Sequence, residues 1–315
     1  MICQLPILRH ERPSLRWTLI NVIGFLRGAR LEGVKSSVYD GRVGITSPKE
    51  SVVIVEQIWT ANNWRNFNYL VVCPETGEAL AIDPLDHIKC LKKAQDNGWD
   101  ITQILNTHEH GDHTGGNGAM IAATGAQLLA HENAKDRIPG VDVGLVAGDR
   151  ITVGRSVELE ALDTPGHTMS HVCLLSQGNQ PALFCGDTLF NAGAGNCHNG
   201  GHPAELYETF ATQLSKLPDE TRVYPGHDYW KNNLEFTLNR EPDNVRAREM
   251  LAQAGVQDPE NSLVSTLALE KEVNTFFRLH SPTLIKTLQD VYTDLPDYPD
   301  AKTVFLKLRE LRNDW

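Results

Sequence analysis

The sequence predicts an α/β fold, a layered domain of strands and helices followed by a helical C-terminal region. Three observations predict it. From Ser51 to Tyr224, short runs of Val, Ile and Leu alternate with turn signals and with stretches of helical spacing. Beyond His227, four segments have helical spacing and almost no strand signal remains. His- and Asp-bearing loops close several of the predicted strands, and loops on a rigid scaffold are where sites are built. The size fits. A chain of 315 residues, 41% hydrophobic and 22% charged, accommodates one large domain and a smaller one.

The elements follow in order. Residues 51–59 are rich in Val and Ile and read as a strand, as do 69–73, closed by the turn Pro74-Glu75-Thr76-Gly77. A third strand over 79–82 ends at Asp83-Pro84. Residues 86–98 place Ile88, Leu91 and Ala94 on one helical face and stop at Asn97-Gly98. A strand over 101–106 leads into a His-rich run, 116–124 reads as helix and 126–130 as strand. Further strands are expected at 151–153, 157–162, 171–175, 183–185 and 222–224. Helices are expected at 229–239, 244–254, 282–290 and 302–312.

The net charge of −11 is unevenly placed. Residues 1–50 hold eight basic and four acidic side chains, a net of +4, so the remainder carries −15. A body this acidic lacks the cationic track that nucleic acid requires. No nucleic-acid or membrane partner is expected, since the apolar stretch Trp17–Leu26 is too short to cross a bilayer. Arg9, Arg12, Arg16, Arg27 and Arg30 stand against Glu11 alone in the first thirty residues. That pattern fits an extension outside the fold or a mitochondrial transit peptide. The six cysteines form no C-x-x-C pair and mostly have apolar neighbours, as buried reduced thiols do in a cytosol-like compartment. A cytoplasmic location is expected, or a mitochondrial one if residues 1–50 are a transit peptide.

The chemistry concentrates in Thr107-His108-Glu109-His110-Gly111-Asp112-His113. Neutral imidazoles and carboxylates are the usual ligands of borderline divalent metals. Three other strand ends deliver the same residue types: His167 in Thr164-Pro165-Gly166-His167, Asp187 in Cys185-Gly186-Asp187, and His227 in Pro225-Gly226-His227. Each alone is a weak signal; together they describe one site fed by four strand ends.

These strings resemble the metallo-β-lactamase superfamily, and within it the glyoxalase II (hydroxyacylglutathione hydrolase) family. The resemblance runs from about residue 51 to the C-terminus. It rests on T-H-E-H-G-D-H-T-G-G-N, C-G-D-T-L-F and P-G-H-D-Y, on Ser265-Thr266-Leu267 with Glu270, on Asn274-Thr275-Phe276-Phe277-Arg278, and on the terminal L-R-E-L-R-N-D-W. It implies an αββα sandwich with a helical C-terminal subdomain. The domain expectation is an extension over 1–50, a metal-binding domain over 51–228 and a substrate-binding subdomain over 229–315. The resemblance further implies a first metal on His108, His110 and His167 and a second on Asp112, His113 and His227. Asp187 would bridge them. Zinc is the expected ion, with iron or manganese as alternatives.

A hydroxide shared by two such ions would attack the thioester of an S-(2-hydroxyacyl)glutathione, giving glutathione and a 2-hydroxy acid. Asp112 and Asp187 would be the catalytic carboxylates. Asp at 187, where β-lactamases of this superfamily have Cys, speaks against antibiotic hydrolysis. The family also meets the glutathione carboxylate with a cationic and an aromatic residue after the bridging Asp. Here those positions are Asn196 and His198. Tyr229 matches the family's Tyr, and Arg309 and Arg312 match its C-terminal basic positions and would supply the missing charge. The competing enzyme is a mononuclear iron persulfide dioxygenase of the same superfamily, using His108, His167 and Asp187. A nuclease is disfavoured by the −15, and a non-enzymatic module by the complete ligand set. A monomer or small homo-oligomer is expected.

Overall fold

Residues 53–178 and 180–315 are described by a computed structural model, so the expectations for residues 1–50 lie outside the described residues. The first sheet contains β1 (Ile54–Trp59), β2 (Phe67–Val72), β3 (Glu78–Ile82), β4 (Asp100–Leu105), β5 (Gln127–His131) and β6 (Val143–Leu145), side by side in chain order. β1, β2 and β3 pair antiparallel, and β3 through β6 pair parallel. The parallel steps require crossovers. They contain α1 (His87–Asn97), then the one-turn α2 (Gly111–Thr114) with α3 (Asn117–Thr124). Asp86 caps α1 by accepting from the Lys89 N–H at 3.0 Å, and Gly98 ends it in the left-handed region at φ 69°.

The second sheet draws on β7 (Arg150–Val153), β8 (Val157–Asp163), β9 (Val172–Ser176), β10 (Ala182–Gly186), β13 (Arg222–Pro225) and β14 (Ser265–Thr266), in the order β14-β13-β10-β9-β8-β7. A small ribbon of β11 (Leu189–Phe190) and β12 (Gly193–Ala194) projects after β10, and α4 (Pro203–Thr212) lies in the β10–β13 crossover. The C-terminal region adds α5 (Trp230–Arg240), α6 (Val245–Ala254), α7 (Leu267–Val273), α8 (Pro282–Val291) and α9 (Ala301–Asn313).

Side-chain alternation decides the layering. Tyr69 and Val71 of β2 enter a core shared with Leu159, Leu174, Phe184 and Tyr224 of the second sheet. Their neighbours Leu70 and Val72 face the other way, onto Cys90, Ala94 and Met120 of α1 and α3. Cys173, Leu183 and Val223 of the second sheet face outward onto Leu206 and Phe210 of α4 and Phe305 and Leu308 of α9. Helices, sheet, sheet, helices is the expected αββα sandwich. Among the described residues no helix is long and apolar enough to cross a membrane.

Candidate metal centre and substrate cavity

Four strand ends meet at one edge of the sandwich. Beyond β4, Asn106 fixes the His-rich loop by donating from Nδ2 to the His113 carbonyl at 3.2 Å, while its N–H pairs with the Leu129 carbonyl of β5. His108 and His110 stand on that loop and Asp112 and His113 on α2. His167 follows β8, Asp187 follows β10 and His227 follows β13. All seven converge. His110 Nδ1 lies 3.0 Å from His108 Nε2 and 3.1 Å from His167 Nε2. His227 Nε2 lies 3.2 Å from His113 Nε2, 3.3 Å from Asp112 Oδ2 and 3.2 Å from Asp187 Oδ2. The Asp187 carboxylate sits between the groups, 3.3 Å from His113 Nε2 and 3.6 Å from His167 Nε2.

The outer ring nitrogens explain why the inner ones face inward. His167 Nδ1 donates to the Asn196 carbonyl at 2.6 Å, His227 Nδ1 to the Trp64 carbonyl at 2.7 Å, and His110 Nε2 to the Asn199 carbonyl at 3.0 Å. His113 Nδ1 meets Asp83 Oδ2 at 2.9 Å and His108 Nδ1 meets Thr107 Oγ1 at 3.0 Å. A carbonyl or carboxylate on one nitrogen fixes the proton there and leaves the other lone pair free for a metal. Three donor groups have their ligand atoms within 4.8 Å of one another: His108/His110/His167, His108/His113/Asp187 and Asp112/His113/His227. Among the described residues the buried Asp187 Oδ1 finds no well-directed hydrogen-bond donor, although His113 Nε2 stands 3.3 Å away, a costly state for a carboxylate oxygen unless a cation meets it. Gly226 keeps the space open: a Cβ there would approach Asp187 Oδ1 to 2.3 Å. The donor set therefore suits divalent-metal binding.

Electrostatics follow the same geometry. Burial works against a charged His113, yet Asp187 and Asp83 outweigh it and hold its pKa well above the ordinary value. Burial, aided by His110 and His113 and opposed by Asp187, pushes His167 down to about 4, and His108 is lowered by burial and by His113 and His167. For Asp187, burial is outweighed by His227 and His113, which keep its carboxyl well below the usual range.

Several residues that support the site have no counterpart in the sequence reading. Asp83 accepts from the Thr107 N–H at 2.8 Å and its hydroxyl at 2.7 Å as well as orienting His113. Its signal was the Asp-Pro pair at a strand end. Asn66, 1% exposed, donates to Asp112 Oδ2 at 3.2 Å and to the Asp112 carbonyl at 3.1 Å. His171 stacks on His108 with ring centroids 5.2 Å apart and accepts from the Asp187 N–H at 3.3 Å. Glu109 receives the Thr168 and Ser170 hydroxyls, each at 3.0 Å, tying the His-rich loop to the one that carries His167. Cys185 is buried and turns its thiol to the Leu189 carbonyl, away from the ligands.

The five residues named for substrate share one cavity of about 310 Å³: Asn196, His198, Tyr229, Arg309 and Arg312, with Phe190 beside them. Tyr229 stacks on His227, centroids 4.9 Å apart and planes 5° from parallel. Arg309, expected to supply charge to the substrate, is largely committed within the protein. It is 3% exposed, gives both Nη1 protons to the Ala194 and Gly195 carbonyls at 2.8 and 2.9 Å, and reaches Asn313 with Nε and Nη2. Arg312 donates to Asn233 Oδ1 at 3.0 Å. Among the described residues neither has a carboxylate partner. The Asn196 side chain accepts from the His198 N–H at 3.2 Å, closing its own loop.

The family model of the metallo-beta-lactamase superfamily matches residues 68–227, and that of the hydroxyacylglutathione hydrolase C-terminus matches 228–315. A hydroxyacylglutathione hydrolase from Nitrosococcus oceani is 67% identical over 263 residues, 84% of this chain and all of that protein. The chain belongs to the hydroxyacylglutathione hydrolase family of the metallo-beta-lactamase superfamily. A cytoplasmic member of the hydroxyacylglutathione hydrolases from Arabidopsis thaliana is 35% identical, covering 79% of this chain and 93% of its own. In fold the chain is similar to ETHE1 from Myxococcus xanthus, with a TM-score of 0.57, 26% identity, and coverage of 77% and 92% of the two chains. Hydroxyacylglutathione hydrolases are thioester hydrolases, and the αββα sandwich with its helical C-terminal region is the frame that carries this site.

Proposed function

We infer that this chain hydrolyses the thioester of S-(2-hydroxyacyl)glutathione, S-lactoylglutathione among them, to glutathione and a 2-hydroxy acid. The observation that carries the reading is a juxtaposition. Seven metal-type ligands open beside a cavity holding two guanidinium groups and no carboxylate. In this reading residues 51–228 hold the ligands, and 229–315 supply most of the cavity wall.

His108, His110 and His167 would hold one divalent ion, Asp112, His113 and His227 a second, and Asp187 both, with zinc favoured and iron or manganese chemically suited. Ions so held would lower the pKa of bound water towards ~7 and would polarise a carbonyl. The chain's own residues do the rest. Asp112 stays ionised, because His227 and His113 outweigh the effect of burial. It would therefore serve as a ligand and hydrogen-bond acceptor that orients the attacking water, not as a general acid. The departing thiol has a pKa of ~8.5 and leaves as thiolate without a general acid. Burial and Asp187 raise the pKa of the Tyr229 hydroxyl, so it remains a donor at neutral pH, facing the cavity. The uncompensated charge of Arg309 and Arg312 draws the anionic end of the peptide to the same wall.

A mononuclear dioxygenase set of His108, His167 and Asp187 would leave the facing His113 and His227 nitrogens unused, and the C-terminal match favours the hydrolase. The test is metal content and glutathione release from S-lactoylglutathione by purified protein. Asp187→Ala is expected to lose both metal and at least 100-fold in turnover, since one carboxylate serves both donor groups. Full activity in that variant, or oxygen uptake on glutathione persulfide by the wild type, would overturn the reading.

A further inference from the structure

Tyr229 has a second side. Together with Asn232 it also borders a separate cavity of about 260 Å³, formed by the loop before β2, the start of α5 and the segment after α6. The cavity begins one residue beyond the ligand His227. Its walls carry two charge pairs. Arg65 donates from Nε to the Asp228 carbonyl at 2.8 Å and from Nη2 to the Asp228 carboxylate. Lys231 pairs with Glu235. The Arg65 side chain is 46% exposed and stacks its guanidinium 4.9 Å from the Trp59 ring centre, while its Nη1 has no hydrogen bond among the described residues. Lys231 and Glu235 are 61% and 39% exposed. Trp230 lines the cavity too, 3% exposed, and its buried indole N–H has no partner among the described residues. A buried donor left unpaired costs free energy and marks a place where an acceptor belongs.

The chemistry of these walls selects a ligand. A simple anion would meet Asp228 and Glu235, and a simple cation would meet Arg65 and Lys231. A group with ammonium and carboxylate on one carbon satisfies both signs. Glutathione has such a group at its γ-glutamyl end, and its glycine carboxylate lies at the other. The two cavities share Tyr229 and Asn232 as a common wall, so one peptide with a charged group at each end could occupy both. We propose that the cavity of Arg65, Asp228, Trp230, Lys231 and Glu235 binds the α-amino-acid head of the γ-glutamyl residue. This rests on the thioester reading above and adds the second arm of the substrate to it. Arg65 Nη1 and Lys231 Nζ would meet the carboxylate, and Asp228 and Glu235 the ammonium.

The test compares two substrates, S-lactoylglutathione and the thioester of N-acetylcysteinylglycine, which lacks the glutamyl head. N-acetylation prevents the acyl group from migrating from sulfur to a free amine. The wild type is expected to show a KM about five- to tenfold higher for the truncated thioester. Lys231→Ala and Glu235→Ala are expected to raise KM for lactoylglutathione about three- to fivefold and to leave kcat and the truncated substrate unchanged, with Lys231→Arg restoring KM. Equal wild-type KM values for both thioesters overturn the proposal, as do variants that shift both substrates alike. Failure to cleave either thioester would instead overturn the functional reading on which it rests.

Discussion

Asp83 stands behind the candidate ligand His113, and its backbone is in the left-handed region, at φ 48°. For a non-glycine residue that conformation is unfavourable and persists only where surrounding contacts fix it. Those contacts are its N–H to the Leu105 carbonyl at 2.9 Å and its carbonyl to the Asn68 amide. The carboxylate so placed gives one oxygen to His113 Nδ1 and both to Thr107. Asp83→Asn keeps the shape but offers an amide N–H where His113 and Thr107 need an acceptor. Metal affinity is expected to fall about 10- to 100-fold with the fold intact. Competition against a chromophoric chelator measures this. Wild-type affinity would show that His113 is held by its other neighbours. Asp83 also marks the limit of what the sequence reveals about the site. That the seven candidate ligands would converge was legible because titratable residues crowd one string and recur at strand ends. Asp83, Asn66 and His171 were not, because each acts through a partner that only the fold brings near. Asp83 is 24 residues from Thr107, and Asn66 is 46 from Asp112.

Helix α9 reaches the site through one loop. Asp300 caps it by accepting from the Thr303 N–H at 2.9 Å, and Val304, Phe305 and Leu308 bury its apolar face. That anchoring carries Arg309 under the segment 194–196, where it holds two carbonyls while the next one, of Asn196, orients His167. Arg309→Ala is therefore expected to lower kcat and metal content as well as raise KM. Among the described residues Arg312 has one hydrogen bond, to Asn233, so Arg312→Ala is expected to raise KM about fivefold and leave kcat nearly unchanged. Steady-state kinetics and metal analysis separate the two; identical KM-only effects would return Arg309 to a purely substrate-facing role. Elements were legible in proportion to their length and period. The strand runs and the helices α1, α5, α6, α8 and α9 lie within a few residues of their expected ranges. The helix α4 was not foreseen in its strand-rich setting, nor were β6, the β11–β12 ribbon and β14, each of three residues or fewer. Short strands of this kind exist because a neighbouring edge pairs with them, and no local pattern encodes that edge.

At the scale of the molecule, the site is a seam between the two sheets. His108, His110, Asp112 and His113 extend from the first sheet, while His167, Asp187 and His227 extend from the second. Each donor group that contains residues of both sheets therefore ties one layer to the other. The apolar core between the layers contributes the larger share of their adhesion, since Leu80, Val71, Phe184 and Leu174 are wholly buried there. At the seam the balance reverses. Seven buried or half-buried polar side chains face each other, and ring nitrogens meet at 3.0–3.2 Å. Without a cation this edge pays the desolvation of those groups with little return. A ligand that binds only the folded state stabilises it by about 2.7 kcal/mol at a concentration 100 times its Kd. For a chain of this size that corresponds to roughly 5–10 °C in Tm. Removing metal with a chelator is thus expected to lower Tm by about that amount, and adding zinc to restore it. Hydrogen exchange should quicken first at residues 107–113 and 186–188, the backbone nearest the seam, while β2 and β10 stay protected. If metal leaves completely and neither Tm nor these amides respond, the core alone holds the layers in register, and the seam is preorganised by its outer hydrogen bonds.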